Sequence, residues 1–394
     1  MTSKAIVAGV GMIPFSKPGE SESYDVMGAA AARAALADAG ISYEQVRQAY
    51  VGYVYGDSTS GQSALYPVGL TGIPIVNVNN NCSTGSTALF LARQAVESGA
   101  VDCALALGFE QMGRGALGTI YSDRKPPMEM HSAVIARAQK PDPMAPGAAQ
   151  LFGGAGREYA AKHGTRDDTF AKISVKARRH AANNPFAIFR DPLSLEDVLA
   201  SKHMYGPLTR FQCCPPTCGA AAAVVVSPSF AKKHGLKGVE IVAQAMTTDS
   251  AKSFERDSMI DVVGYGMARD AADAVYDAAS IGPEDLDVVE LHDCFTANEL
   301  LTYEAIRLTP EGSAEKFICD GDNSYGGRIV TNPSGGLLSK GHPLGATGLA
   351  QCAELVWQMR GQSGKRQVEG AKMALQHNLG LGGACVVTLY RAMQ

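Results

Sequence analysis

Cys82 is the first residue of this sequence whose surroundings suggest covalent chemistry. It follows a run of three asparagines and precedes residues 83–98, whose small side chains and periodicity predict a helix. A cysteine at a helix start lies near free backbone N–H groups and the positive end of the helix dipole, and both stabilise a thiolate. The local sequence fits a nucleophile and a buried packing residue equally well. Cys103 and Cys352 are interpreted as packing residues.

A histidine occupies a second loop of small residues. His342 lies between Gly341 and Pro343, shortly before a predicted helix at 348–359. These neighbours favour a loop that presents the imidazole instead of packing it in a core. A neutral imidazole beside Cys82 would take the thiol proton, which is the activation that a thiol nucleophile requires. A lone histidine is more often structural, so this pairing is a hypothesis.

A histidine and a cysteine follow the predicted apolar strand 286–291. His292 and Cys294 occupy alternate positions, so they point the same way if the extended backbone continues. Ligands of α/β sheets tend to bind at strand ends, where a histidine can stabilise an oxyanion and a cysteine can transfer a proton. The glycine loop 378–383 fits either a tight turn or a backbone N–H donor, and the residues alone leave both interpretations open.

Composition and charge exclude several classes of protein. The chain has 394 residues and a net charge of −4, without the basic surplus of a nucleic-acid binder. It contains no long apolar run, so no membrane span is expected. Nine dispersed cysteines are typical of reduced cytosolic thiols. Cys213, Cys214 and Cys218 have no partners at zinc-like spacing and are interpreted as small residues that enter a buried strand.

Strand and helix patterns alternate along the chain and predict an α/β layered fold. The alternation stops at about residues 113–211, where an inserted, mostly helical region is expected, and begins again near residue 238. Each half contains a small-residue helix start with one reactive side chain, Cys82 or His342, which indicates an internal duplication. The predicted halves are residues 1–237, including the insert, and 238–394.

Five strings, in this order, resemble those of the thiolases, and specifically the sterol carrier protein X type. They are Asn-Asn-Asn-Cys82-Ser-Thr-Gly, His292-Asp-Cys294-Phe, Asn332-Pro-Ser-Gly-Gly, Gly341-His342-Pro-Leu-Gly-Ala-Thr-Gly and Gln376-His-Asn-Leu-Gly-Leu-Gly-Gly. The resemblance runs over essentially the whole chain. It implies a five-layered α/β/α/β/α core of two similar halves with an inserted loop domain, assembled as a homodimer or homotetramer.

The resemblance also implies a role for each candidate residue. Cys82 matches the nucleophile that becomes acylated, and His342 matches the histidine that activates it. Most other thiolases keep a second acid/base cysteine in the final glycine loop, where this sequence has Asn378. In the sterol carrier type, the cysteine that corresponds to Cys294 takes over that role.

The same resemblance implies the donors that stabilise developing charge. His292 and His342 would stabilise the oxygen of the thioester enolate. The backbone N–H groups of Cys82 and Gly380 would stabilise the tetrahedral intermediate. Cys385 lies too far along the chain to replace the loop cysteine and is interpreted as a packing residue.

The expected reaction is CoA-dependent cleavage of a 3-oxoacyl-CoA into acetyl-CoA or propionyl-CoA and a shortened acyl-CoA, or the reverse Claisen condensation. CoA would be a co-substrate, with no permanently bound cofactor and no metal. One alternative is a decarboxylating ketoacyl synthase. Another is a non-thiolytic lyase or binding subunit of steroid side-chain degradation, with a small partner protein. The C-terminus carries neither a peroxisomal tripeptide nor a sterol-carrier domain, so a stand-alone cytoplasmic protein of lipid metabolism is expected.

The sequence is less informative about how the substrate is held. No phosphate-loop motif is present for the CoA nucleotide, and the basic residues Lys176, Arg178 and Arg179 are interpreted as a solvated helix face. Aromatic residues of the insert are candidates for the acyl pocket, although a role in the core of the insert fits them equally well. These residues are Phe152, Tyr159, Phe186 and Phe189.

Overall fold

The computed structural model describes residues 4–113, 118 and 121–393. The strands are β1 (Ile6–Met12), β2 (Gln48–Gly52), β3 (Ile75–Val78), β4 (Cys103–Glu110), β5 (His203–Tyr205), β6 (Leu208–Thr209), β7 (Gly219–Val226), β8 (Val239–Thr247), β9 (Val288–Glu290), β10 (Val330–Thr331), β11 (Met373–Gly380) and β12 (Ala384–Ala392). The first helices are α1 (Tyr24–Ala39), α2 (Ser60–Leu65), α3 (Thr84–Glu97), α4 (Glu129–Ala138), α5 (Gly147–His163), α6 (Asp167–Ala181), α7 (Leu195–Ala200) and α8 (Pro228–His234). The later helices are α9 (Lys252–Glu255), α10 (Met259–Val262), α11 (Tyr265–Ala279), α12 (Thr296–Ala305), α13 (Ala314–Cys319), α14 (Gly336–Ser339) and α15 (Thr347–Met359).

Ten of these strands form one mixed sheet made of two matching halves. The order is β3-β2-β4-β7-β1 in the first half and β10-β9-β11-β12-β8 in the second. In both halves the first strand pairs antiparallel with the last, and the inner strands pair in parallel. The halves join where Ile6 pairs with Glu240 and Val7 with Val239. This repeated strand order confirms the internal duplication.

The helices complete five layers around the two half-sheets. Helices α3 and α15 pack against each other and contact strands of both halves, so they form the shared middle layer. Helices α1 and α2 cover the outer face of the first half, and α11 and α12 lie on the second. The inner strands β4 and β7 are buried on both faces and are therefore almost entirely apolar. The predicted α/β/α/β/α fold is confirmed.

The insert lies between β4 and β7 and contains helices α4 to α7, as the sequence predicted. It also contains a short hairpin of β5 and β6, which the sequence analysis missed because two- and three-residue strands carry no detectable period. The limits of 113–211 and the division at residue 237 remain predictions. Among the described residues, no helix is long and apolar enough to cross a membrane.

The end of strand β11 differs from the prediction in a way that affects the site. Strand β11 continues to Gly380, so Asn378 and Gly380 lie in the sheet and not in a loop. The glycines of this segment predicted a loop. In the structure, Asn378 pairs with Val386 and Gly380 with Ala384 in a regular antiparallel ladder. The side chain of Asn378 therefore has an orientation fixed by the sheet.

Glycines allow the two halves to meet backbone to backbone next to the site. A Cβ atom added to Gly108, in β4, would lie 2.0 Å from the carbonyl oxygen of Gly345, in the loop that carries His342. A Cβ atom added to Gly345 would in turn lie 2.3 Å from the carbonyl oxygen of Phe109. The close packing of this loop on β4 thus requires glycine on both sides.

We predict that Gly108→Ala lowers the free energy of unfolding by about 1–3 kcal/mol, because the added methyl group overpacks this contact. Urea denaturation at a fixed protein concentration measures the change. Gly266→Ala is the matched control, since an added Cβ there has no neighbour within 4 Å. Its stability should not fall below that of the wild type, because alanine is favoured over glycine at a helical position with free space around it. Equal stability of the two variants would contradict the proposed contact.

Candidate active site

Cys82 lies in the tight loop between β3 and α3. Asn81, just before it, has a φ of 51°, a left-handed backbone conformation that asparagine tolerates better than most residues. Helix α3 begins two residues later at Thr84. The Cys82 thiol donates to the side-chain oxygen of Asn81 across 3.7 Å, and its side chain is partly exposed to a cavity.

His342 lies in the corresponding loop before α15 and is held on both sides. Its backbone N–H donates to the Thr217 hydroxyl at 3.1 Å, and its Nδ1 lies 2.6 Å from the Thr347 hydroxyl oxygen. His342 is buried, with 4% of it exposed, and its Nε2 has no hydrogen-bond partner among the described residues. This nitrogen is therefore available for a proton or a substrate oxygen.

The structure brings Cys82, His292 and His342 together. The sulfur of Cys82 and one ring nitrogen of each histidine all lie within 4.8 Å of one another. The two imidazole rings meet edge to face, with their centroids 5.1 Å apart. Cys294 follows the end of β9 and lines the same cavity. The four side chains predicted to carry out the chemistry thus share one site.

Gly380 lies at the end of β11, directly against the nucleophile loop. A Cβ atom added to it would lie 2.3 Å from the carbonyl oxygen of Asn80. Hydrogen bonds from the backbone N–H groups of Cys82 and Leu381 lower the pKa of the Cys82 thiol. Leu381 is a donor that the sequence analysis missed, because a strand–turn junction does not reveal where a backbone amide points.

The cavity has a volume of about 480 Å³ and is mostly apolar. Phe152 and Phe189 line it, as predicted. Tyr159 does not: it is buried elsewhere and donates to Glu304. Phe186 stacks on Trp357, with ring centroids 5.1 Å apart, and belongs to the core. The remaining large apolar lining residues are Met112, Met204, Phe211, Phe295, Leu338, Leu344, Leu379 and Leu381.

Burial sets the protonation of the reactive groups. It raises the pKa of Cys82 to about 12, and the nearby Glu110 carboxylate adds to this effect. Burial also lowers the pKa of His342 to about 3 and lowers the pKa of His292 well below its usual range. The expectation that the helix start stabilises a Cys82 thiolate is therefore wrong, because loss of hydration outweighs the effect of the backbone N–H groups. The resting site holds a neutral thiol and neutral imidazoles.

Glu110 is a buried carboxylate that the sequence analysis missed. It ends β4 and is 0% exposed. Its oxygens accept the backbone N–H groups of Val54 at 3.1 Å, Tyr55 at 2.9 Å and Gly345 at 3.0 Å. Glu110 thereby ties the loop after β2 to the loop that carries His342. An acidic residue at the end of an otherwise apolar strand was the available signal.

Two other interpretations of the sequence need correction. Cys213 and Cys214 line the cavity and do not simply enter a buried strand, and the N–H of Cys214 donates to the carbonyl oxygen of Cys294 at 2.8 Å. Lys176 does not belong to a solvated helix face: it is buried and ion-paired with Glu299. Arg178 lies at the cavity, with its guanidinium 4.5 Å from the ring centre of Phe189. The error at Lys176 arises because helix α6 is covered by helix α12 and strand β10, which a sequence pattern does not place.

The same trio of donor atoms has the composition of a soft metal site. A sulfur and two imidazole nitrogens are ligands that zinc accepts. Their separations of up to 4.8 Å would have to shorten for a tetrahedral ion with bonds of about 2.0–2.3 Å. The arrangement fits proton transfer between neutral groups better than resident metal binding.

Comparisons with known proteins agree with this geometry. A model of the thiolase N-terminal domain matches residues 5–198, and a model of the thiolase C-terminal domain-like family matches residues 248–389. Sterol carrier protein 2 from Rattus norvegicus is 57% identical over 98% of this chain and 72% of its own length.

Two solved structures match over nearly the whole chain. An Ltp2-ChsH2(DUF35) aldolase has a TM-score of 0.84 at 25% identity, covering 99% of this chain and 98% of its own. Human mitochondrial 3-ketoacyl-CoA thiolase in complex with CoA has a TM-score of 0.73 at 19% identity, covering 100% of this chain and 99% of its own, and supports the fold alone.

The chain belongs to the thiolase family. It is a thiolase-family acyltransferase, and within the family it is similar to the thiolase part of the sterol carrier proteins. The resemblance drawn from the sequence motifs is thus confirmed.

We predict that Glu110→Gln changes how stability depends on pH. Burial raises the pKa of Glu110 from 4.5 to about 7, so between these values the folded protein binds a proton that the unfolded chain has lost. The wild type should therefore lose stability relative to Glu110→Gln as the pH rises from about 4.5 to 7. Urea denaturation of both proteins across this range measures the difference. A difference that is constant with pH would contradict a raised pKa.

Proposed function

We propose that this protein is a thiolase that cleaves a 3-oxoacyl-CoA with CoA through an acyl-Cys82 intermediate. The observation that carries the proposal is the convergence of Cys82, His342, His292 and Cys294 on one apolar cavity. The same array could run the reverse Claisen condensation, because each proton transfer is reversible. CoA is the proposed co-substrate.

The first step forms the bond between sulfur and carbon. Cys82 Sγ attacks the 3-keto carbon while its proton passes to the free Nε2 of His342. Since the thiol has a high pKa and the imidazole a low one, the proton moves as the sulfur attacks instead of beforehand. The electron pair of the carbonyl moves to its oxygen, and backbone N–H groups of Cys82 and Gly380 stabilise the resulting oxyanion.

The second step breaks the bond between C2 and C3. The tetrahedral intermediate collapses to an acyl thioester on Cys82, and the electron pair of the broken bond forms the enolate of acetyl-CoA or propionyl-CoA. His292 and the protonated His342 donate to the enolate oxygen. Cys294 protonates C2 and becomes a thiolate, which makes it the general acid of this step.

The third step regenerates the enzyme. A new CoA thiol gives its proton to the Cys294 thiolate and attacks the acyl carbon. The shortened acyl-CoA leaves, and the Cys82 sulfur recovers its proton from His342. The dominantly apolar lining of the cavity excludes water that would hydrolyse the acyl thioester.

We predict that Cys294→Ala lowers the rate of acetoacetyl-CoA thiolysis by about 10²–10⁴, the usual contribution of a general acid or base. Acetylation of Cys82 by acetyl-CoA, followed by mass spectrometry, should persist in this variant and be lost in Cys82→Ala. Cys319→Ala is the control, because Cys319 is an exposed thiol outside the cavity. Full thiolase activity of Cys294→Ala would refute the role of Cys294.

A second candidate function is a carbon–carbon lyase that acts without thiolysis and with a small partner protein. The TM-score of 0.84 to an Ltp2-ChsH2(DUF35) aldolase favours it. Cleavage by such an enzyme would need no acyl-Cys82 intermediate. A wild-type protein that is not acetylated by acetyl-CoA, and that shows no thiolysis across straight-chain, 2-methyl and steroid-derived 3-oxoacyl-CoAs, would favour the lyase.

The edge of the first half-sheet supports the proposed homodimer. Strand β3 is the last strand at this edge of the sheet among the residues that the structure describes. Tyr66, Leu70 and Val76 are exposed apolar side chains near this edge, with Leu70 80% exposed. An open strand edge beside apolar surface is suited to pairing with a second copy of the chain. The cytoplasmic location remains a prediction from the sequence.

A further inference from the structure

Asn378 stands where most thiolases have their second cysteine, and its side chain connects the two sides of the site. It is 0% exposed. Its Nδ2 lies 3.0 Å from Nδ1 of His292 and 3.2 Å from the carbonyl oxygen of Cys82. Its Oδ1 accepts the hydroxyl of Ser86 at 2.8 Å. All of its polar atoms are thus used within the site.

The orientation of this amide follows from its partners. The carbonyl oxygen of Cys82 can only accept, so the Asn378 atom that faces it must be the amide nitrogen. The direction of the Ser86 hydrogen bond is also fixed. The Ser86 oxygen accepts from Nε2 of Gln376 at 2.8 Å, so its hydroxyl hydrogen is donated to Oδ1 of Asn378. Gln376 Nε2 also donates to the carbonyl oxygen of Gly348 at 2.7 Å, which fixes that amide.

This orientation determines which nitrogen of His292 carries the proton. Nδ1 of His292 faces an NH₂ group, which can only donate, so Nδ1 must accept. A neutral imidazole has one proton, and that proton is therefore on Nε2. Nε2 is the ring nitrogen left for the cavity that His292 lines. His292 accordingly offers the substrate a hydrogen-bond donor.

His342 is held in the opposite tautomer. The Thr347 hydroxyl donates to the carbonyl oxygen of Pro343 at 3.0 Å, so its oxygen accepts the N–H of His342 Nδ1 at 2.6 Å. The proton of His342 is therefore on Nδ1, and the unpartnered Nε2 presents a lone pair. Two neutral imidazoles in one cavity thus differ in role because their neighbours differ.

We propose that Asn378 is a positioning residue that holds the proton of His292 on Nε2, so that His292 donates to the enolate oxygen while His342 acts as the base. The inference rests on the proposed function for its catalytic consequence. Without this constraint, His292 could present a lone pair to a developing negative charge. Loss of one such donor typically costs about 10²–10³ in rate.

The direct test is ¹⁵N NMR of the histidine side chains in the resting protein. His292→Asn and His342→Asn variants assign the two signals. We expect His292 to be protonated at Nε2 and His342 at Nδ1. A proton on Nδ1 of His292 in the wild type would overturn the proposal. This result does not depend on any enzymatic activity, so it is separate from failure of the proposed thiolase function.

The variant Asn378→Asp tests whether the Asn378 amide determines the tautomer of His292. A carboxylate at this position would accept from Nδ1 and move the His292 proton there, and kcat for thiolysis should fall about 10²-fold with KM little changed. Asn77→Asp is the matched control for an added carboxylate, because Asn77 bonds Gln62 and Gly61 away from the cavity. The control should retain the wild-type ¹⁵N NMR signal of His292 and the wild-type kcat for thiolysis.

A second variant covers the case in which Asn378→Asp does not fold, as judged by circular dichroism. Asn378→Ala removes the amide donor itself and adds no charge, so nothing at this position then fixes the proton of His292. We expect His292 to populate both tautomers in this variant and kcat to fall about 10-fold, a fraction of the full donor effect. An unchanged His292 signal together with wild-type kcat in the folded variants would overturn the role of Asn378.

Discussion

The hydrogen bonds of Glu110 join the two halves of the site, and the positions of the other reactive groups depend on them. A buried carboxylate is costly unless donors surround it, and here the donors are backbone N–H groups from two separate loops. One loop follows β2 in the first half, and the other contains Gly345 and carries His342 from the second half. Glycines at 108 and 345 allow these backbones to touch. The loop that carries His342 is therefore held against the first half by the Glu110 carboxylate and by direct backbone contact.

The duplicated sheet explains why the reactive residues are far apart in sequence and close in space. Each half contributes one buried helix to the middle layer, α3 or α15, and each helix begins at the site. Cys82 precedes the first helix and His342 precedes the second. The strand ends of β9 and β11 lie beside these helix starts and add Cys294, His292 and Asn378. A site between two half-sheets thus receives groups from both, and no single half could assemble it.

The protonation states of the site follow from the burial of its side chains. Burial keeps the thiol protonated and the imidazoles neutral, so no charge has to be stabilised before substrate arrives. In the proposed mechanism, charge develops on the substrate oxygens, on His342 and on Cys294 only during the reaction, and fixed donors stabilise the charge on the oxygens. In a neutral site the direction of each hydrogen bond matters more than the net charge. The amide and hydroxyl groups around the two histidines, which touch no substrate in the proposed mechanism, therefore decide which imidazole donates and which accepts.

The sequence by itself determined the family, the layered α/β class and the duplication, and it predicted the four side chains that meet in the cavity. It could do so because small residues around Cys82 and His342, and the His292-Asp-Cys294 string, are local patterns that need no knowledge of packing. Only the tertiary structure decided the rest. The role of Glu110, the cavity positions of Cys214 and Arg178, the burial of Lys176 and the strand position of Asn378 depend on which distant segments cover them. The pKa of Cys82 is the clearest case: the helix start argued for a stabilised thiolate, but removal of water by residues far along the chain reversed the sign.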